Sequence, residues 1–165
     1  MKARRWTWAA ARSIGTSHIK AGKACEDFGA CLEITGSSET VLIAVASDGA
    51  GSACHSRIGS WITTRAFVHS AAGYVKAGRD LKLFSVEIAQ EWIEDIRTRI
   101  SAVASRADAK PRDFAATLVG CLIGKECSFL STLATAHLCL KQKGTRVGTC
   151  QHGRRKVNTQ LRHSL

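Results

Sequence analysis

No stretch of this 165-residue chain approaches the roughly 20 uncharged apolar residues that a membrane-spanning helix needs. The opening MKARRWTWAAARS also lacks the continuous apolar run of a secretory leader. Both absences lead us to expect a soluble, cytoplasmic protein. Cysteine is present without a pattern: seven residues, an odd count with no repeated CxxC spacing. That excludes a secreted disulfide framework and a zinc ribbon and leaves reduced, mostly buried thiols as the expectation. Acidic residues are missing from one end. Residues 131 to 165 hold seven Lys or Arg and no Asp or Glu, so the net charge of +11 is concentrated there. The first 130 residues, with seventeen basic and thirteen acidic side chains, are only mildly basic, which is not the charge footprint of a nucleic-acid-binding domain. The remaining composition, 45% apolar and 22% charged, is that of an ordinary globular domain or part of one.

Residues 40 to 47, TVLIAVAS, are β-branched and apolar almost throughout, the pattern of a strand buried on both faces. The strand runs into Asp48-Gly49-Ala50-Gly51-Ser52, whose glycines allow a tight turn with close backbone approach. Residues 29 to 34 form a second strand candidate, pairing with the first across the GSSE turn. Ile58, Trp61, Ile62 and Ala66 recur at helical spacing, as do Ile88, Trp92, Ile96, Ile100 and Val103, which predicts two amphipathic helices. The single proline, Pro111, lies in the loop before a third strand candidate, FAATLVGCLI from Phe114 to Ile123. Two strands, two helices and a strand make an α+β order.

Two acidic pairs carry the chemistry: Glu26-Asp27 in a polar, Gly- and Ser-rich segment, and Asp48-Gly49 at the end of the buried strand. Hard divalent cations such as Mg²⁺ and Mn²⁺ take oxygen ligands, and carboxylates at neighbouring strand ends with a backbone carbonyl supply them. Two such ions can hold a hydroxide for in-line attack on phosphorus. An isolated Asp-Gly is equally what a simple turn requires.

Four blocks in order narrow the choice: Ser13-Ile14-Gly15-Thr16-Ser17-His18-Ile19-Lys20, then Cys25-Glu26-Asp27, then AVASDGAGSACHSRIGS, then RDFAATLVGCLIG. Together, over roughly residues 6 to 124, they resemble the bacterial-type branch of the PP2C family of metal-dependent serine/threonine protein phosphatases. The resemblance implies an αββα sandwich, two antiparallel sheets flanked by helices, of which this chain would hold a part. It implies hydrolysis of phosphoserine and phosphothreonine esters in protein substrates, with Mn²⁺ or Mg²⁺ as cofactors. Carried onto this chain, it makes Asp48 the metal-bridging catalytic aspartate and Gly49 the residue lending a carbonyl. Glu26 and Asp27 are the acidic pair beside the metals. His18 is read either as a proton donor to the leaving group or as a hydrogen-bonded structural histidine. Thr117 to Gly120 matches a family strand without chemistry. Animal members place a phosphate-gripping arginine just ahead of the acidic pair, where the nearest cations here are Lys20 and Lys23. His55 beside Cys54 raises a thiol–imidazole pair, although sequence neighbours seldom face one another productively.

The family's later metal ligands, in a GDG-like motif, are absent: no Asp follows Asp113. Joining the third base of each codon with the first two of the next across Ser131 to Leu138 permits HIGDGAL. The same shift from His152 to Gln160 permits W-P-x-x-G-E-Y-A. The expectation is therefore a phosphatase part over residues 1–130 and a frameshifted, poorly ordered basic tail over 131–165, with weak or no activity. The competing reading is a non-catalytic basic module contacting nucleic acid or another polyanion through the tail. Against it, the tail has neither aromatic residues for base stacking nor a nucleic-acid motif.

Overall fold

The run of β-branched residues after the first turn becomes the strand around which everything else is placed. In the computed structural model, which describes residues 6–125, 128–134, 137–140 and 148–151, β1 (Phe28–Thr35) and β2 (Thr40–Ser47) form an antiparallel hairpin. The turn is closed by Gly36 N–H donating to the Glu39 carbonyl at 2.9 Å. Helix α2 (Ser56–Lys76) and helix α3 (Val86–Arg106) follow, then β3 (Leu118–Ile123) on the other edge of β2. Three further strands, β4 (Ser128–Ala134), β5 (His137–Leu140) and β6 (Gly148–Gln151), extend the sheet as an antiparallel meander in the order β1-β2-β3-β4-β5-β6. The expected boundary between residues 130 and 131 falls inside β4. Residues 135–136, 141–147 and 152–165 of the expected tail lie outside the described residues.

Alternation decides which face of the sheet is filled. Val41, Ile43 and Val45 of β2 and Leu118 and Leu122 of β3 point towards the helices, all at most 6% exposed. Burying each such side chain contributes on the order of 1.5–3 kcal/mol. Phe67 of α2 lies directly over Gly120 of β3, where any Cβ would strike its ring. Its ring meets Trp92 of α3 edge-on at 5.8 Å, and Trp92 in turn packs against Phe84 at 5.0 Å. This aromatic cluster locks α2 and α3 onto one face of the sheet. The class is therefore α+β, and the described residues hold a single sheet with helices on one side, part of the expected sandwich.

Three local expectations are corrected. The strand foreseen from Phe114 starts at Leu118, because Pro111 opens a 3-10 turn through Phe114 in which the Asp113 carboxylate accepts the Lys110 N–H at 3.0 Å. The foreseen helical stripe on α2 splits: Ile62 and Ala66 are buried, whereas Ile58 and Trp61 are 44% and 47% exposed. Gly59 of the helix packs on the Phe114 main chain and Phe67 lies over Gly120 of β3, which turns positions 58 and 61 outward. Nor are the four thiols whose burial is described fully buried. Cys25, Cys31 and Cys121 are half-buried and Cys54 is exposed, since Cys31 and Cys121 lie on the sheet face away from the helices. All four are free. No helix among the described residues is long and apolar enough to cross a membrane.

The tightest contact between a helix and the loop leading into β3 is at Gly59, where a Cβ would collide with the Phe114 main chain. Gly59→Ala is expected to lower stability by about 1–3 kcal/mol, the range for overpacking a rigid site, read as a lower urea midpoint at unchanged slope.

Candidate metal centre

Every polar group of the site hangs on the end of β2. The Asp48 N–H donates to the Thr117 hydroxyl at 3.0 Å, and the Asp48 carbonyl accepts the Thr117 N–H at 2.8 Å. One residue earlier, the Ser47 hydroxyl donates to the Thr117 carbonyl at 2.6 Å. Thr117 thus holds the strand end from three directions, and the Asp48 side chain leaves a fixed main chain towards solvent. The sequence alone marked Thr117 as part of a strand without chemistry. Its role becomes visible only when β3 is paired with β2.

Gly49 continues the turn, buried and bridged to Ala116. A Cβ here would stand 2.8 Å from the Glu26 carbonyl and 2.9 Å from the Ser56 carbonyl, distances no real Cβ adopts, so only glycine fits. That close approach seats the Glu26-Asp27 segment against the end of β2. The segment is fixed further by the Ser60 hydroxyl of α2, which donates to the Glu26 carbonyl, and by Arg12, whose guanidinium donates to the Asp27 carbonyl at 3.1 Å. Arg12 also lies 4.6 Å over the Phe28 ring. This cation beside the acidic pair was not foreseen, because fifteen residues separate it from Asp27.

His18 reaches the same cluster from a short helix, α1 (Thr16–Lys20), within the segment expected to be merely polar. Gly22 at φ +63° reverses the chain, and Lys23 N–H returns to the His18 carbonyl at 2.9 Å. The His18 Nε2 then lies 4.0 Å from Glu26 Oε2, a charge contact beyond hydrogen-bond length. Glu26 Oε2 is buried without a hydrogen-bond partner. Lys20 and Lys23 are exposed. His55 does not pair with Cys54; its ring lies 4.9 Å from that of Phe114 and serves packing.

The Asp48 pKa is raised, first by a hydrogen bond with the Asp27 carboxyl, then by burial and by the negative charges of Asp27 and Glu26, with His18 opposing. Negative charges held close together disfavour ionisation, and a bound cation would relieve that cost. The donor chemistry, hard carboxylate oxygens around a glycine turn with an unpartnered buried oxygen beside them, fits a divalent cation. Among the described residues, no three His, Cys, Asp or Glu side chains converge as a ready-made cage. Asp27, Asp48 and Glu26 are therefore the residues that could hold an ion, in an open site.

The model of the protein phosphatase 2C family matches residues 14–158. The chain belongs to this family. Its match spans the acidic cluster and continues through β4 to β6. No curated protein matches the chain. Among solved structures, it is similar to the serine/threonine phosphatase Stp1 from Staphylococcus aureus, with 14% identity over 77% of this chain and 47% of that one at a TM-score of 0.43. It is also similar to a bacterial serine phosphatase carrying a point mutation, with 14% identity over 79% of this chain and 56% of that one at a TM-score of 0.41. The phosphatase-family chain spans about half the length of these structures.

The raised Asp48 pKa has a consequence for stability without metal. A carboxyl that keeps its proton to higher pH when folded favours the folded state fully below the ordinary aspartate value, and that advantage is lost as pH rises through the raised value. Metal-free Asp48→Asn should therefore match the unmodified chain in melting temperature near about pH 4 and exceed it near about pH 7. Calorimetry in chelator checks this; an equal or lower neutral-pH midpoint for the variant would contradict the carboxylate contact.

Proposed function

We propose that this chain carries the metal-binding front part of a phosphatase acting on phosphoserine and phosphothreonine esters of proteins. Asp48, Gly49, Glu26 and Asp27 surround Mn²⁺ or Mg²⁺ in this reading, with His18 beside them. The observation that supports it most is the close approach of the Glu26-Asp27 segment to the Asp48-Gly49 turn, with the Glu26 carbonyl where a Gly49 Cβ would stand, at the end of a strand clamped by Thr117. When bound, a pair of divalent ions supplies a water acidic enough to attack phosphorus at neutral pH.

The chain's own residues perform the remaining tasks. The Asp27 and Asp48 carboxylates bind cations, and Gly49 presents its carbonyl where a side chain would bar approach. Thr117 fixes the Asp48 main chain, so little reorganisation accompanies binding. His18, in charge contact with Glu26, delivers a proton to the departing ester oxygen. No carboxylate is available later in the chain, since no Asp follows Asp113 and no Glu follows Glu126. Cations are consequently held weakly, and the isolated chain is weakly active or inactive. A frameshift near residues 128 to 131 accounts for that loss; coding DNA that cannot be read as HIGDG in the shifted frame across Ser131 to Ala136 would sink this origin.

Mn²⁺ titrated into the full chain is expected to raise its melting temperature and to support slow hydrolysis of an aryl phosphate. Asp48→Asn should abolish the first and reduce the second by on the order of a hundredfold. The absence of any Mn²⁺-induced shift in the unmodified chain, or hydrolysis indifferent to Asp48→Asn and to chelator, would overturn the assignment. Turnover of many molecules per second would overturn the reduced activity.

A further inference from the structure

Helix α2 from Trp61 to His69 and helix α3 from Arg99 to Arg106 line a groove of about 470 Å³. None of its residues belongs to the acidic cluster. Ile62, Ala66 and Val103 form an apolar floor, buried or half-buried. Trp61, Arg65 and His69 stand on the α2 rim at intervals of four residues, on one stripe of the helix. Arg99 and Arg106 stand on the α3 rim.

Two features mark this groove as a recognition surface. Trp61 is 47% exposed, although the same helix fills the core on its other side. The Arg65 guanidinium lies 5.5 Å over the Trp61 ring. Tryptophan and arginine are the residue types most enriched where interfaces draw their binding energy. The charge is also one-sided. Arg99 is paired with Asp95 at 2.8 Å, but Arg65 and Arg106 have no carboxylate within ion-pair distance among the described residues. Cationic rims around an apolar floor lack their complement within the described structure.

We propose that this groove binds a carboxylate-rich peptide segment of a partner protein. An apolar side chain of the peptide sits on the Ile62–Ala66–Val103 floor, and flanking Asp or Glu side chains engage Arg65 and Arg106. Charge decides against the two occupants closest to hand. Residues 131 to 165 carry seven Lys or Arg and no acid, so the chain's own end has the wrong sign, and a second copy meeting face to face would bring the same arginines. Nucleic acid has the right sign but no apolar side chain for the floor. A peptide meets both demands, and long-range attraction between opposite charges would speed its encounter.

Fluorescence anisotropy on the full chain tests this, using a fluorescein-labelled peptide of Glu and Asp around a central Leu-Phe pair at about 50 mM salt. The expected result is saturable binding with a micromolar Kd that weakens as salt rises. The double variant Arg65→Glu with Arg106→Glu should raise the Kd at least ~tenfold, and Trp61→Ala by several-fold. Arg154→Ser with Arg155→Ser in the basic end should leave it unchanged. If the reversed pair does not fold by circular dichroism, Arg65→Gln with Arg106→Gln replaces it, with a several-fold rise expected. No saturable binding, an unchanged Kd on altering Arg65 and Arg106, or loss of binding on altering Arg154 and Arg155 would each overturn the proposal. So would a DNA duplex that displaces the peptide from Arg65 and Arg106 at lower concentration than unlabelled peptide.

Discussion

The amide, hydroxyl and carbonyl of Thr117 hold the end of β2 from three directions, and the functional geometry depends on that clamp. A carboxylate on a free loop relaxes away from another carboxylate, since like charges gain by separating. Asp48 cannot relax in this way, because its own amide and carbonyl are both committed to Thr117. The Asp48 pKa is accordingly raised, first by the hydrogen bond with Asp27, then by burial, and then by the negative charges of Asp27 and Glu26.

The clamp in turn needs the packing beneath it. β3 reaches β2 because Gly120 leaves room for the Phe67 ring, and Phe67 is held by Trp92 of α3. Gly59 brings α2 down onto the Phe114 main chain, and the Ser60 hydroxyl one residue later takes the Glu26 carbonyl. A single helix thus joins the core to the acidic segment. The cost is an outer stripe of the same helix, Ile58, Trp61 and Arg65, with nothing of its own chain to cover it among the described residues.

Much of this order was legible in local pattern. The alternation and β-branching of residues 40 to 47 set a strand, and the turn chemistry of Asp48-Gly49 set its end. The spacings from Ile58 and from Ile88 set two helices, and four short blocks in order carried the family. The start of β3 was not legible, because Phe114 looks equally apolar in a strand and in a 3-10 turn and only the Lys110–Asp113 contact separates them. Helical spacing likewise could not say that Ile58 and Trp61 face water. Period identifies a helix, whereas the side that is covered depends on what lies against it.

By itself, then, the sequence determined the first three strands, the two long helices, their order and the carboxylates available for metal chemistry, since these follow from periodicity, turn residues and side-chain type. Tertiary structure alone decided that Asp48 meets Asp27 and that Thr117 clamps Asp48. It also decided that Arg12 lies on the acidic segment and that Trp61 and three arginines share an outer groove. Each of these joins residues distant along the chain, and such contacts are set by strand pairing and helix packing, which no local window of sequence contains.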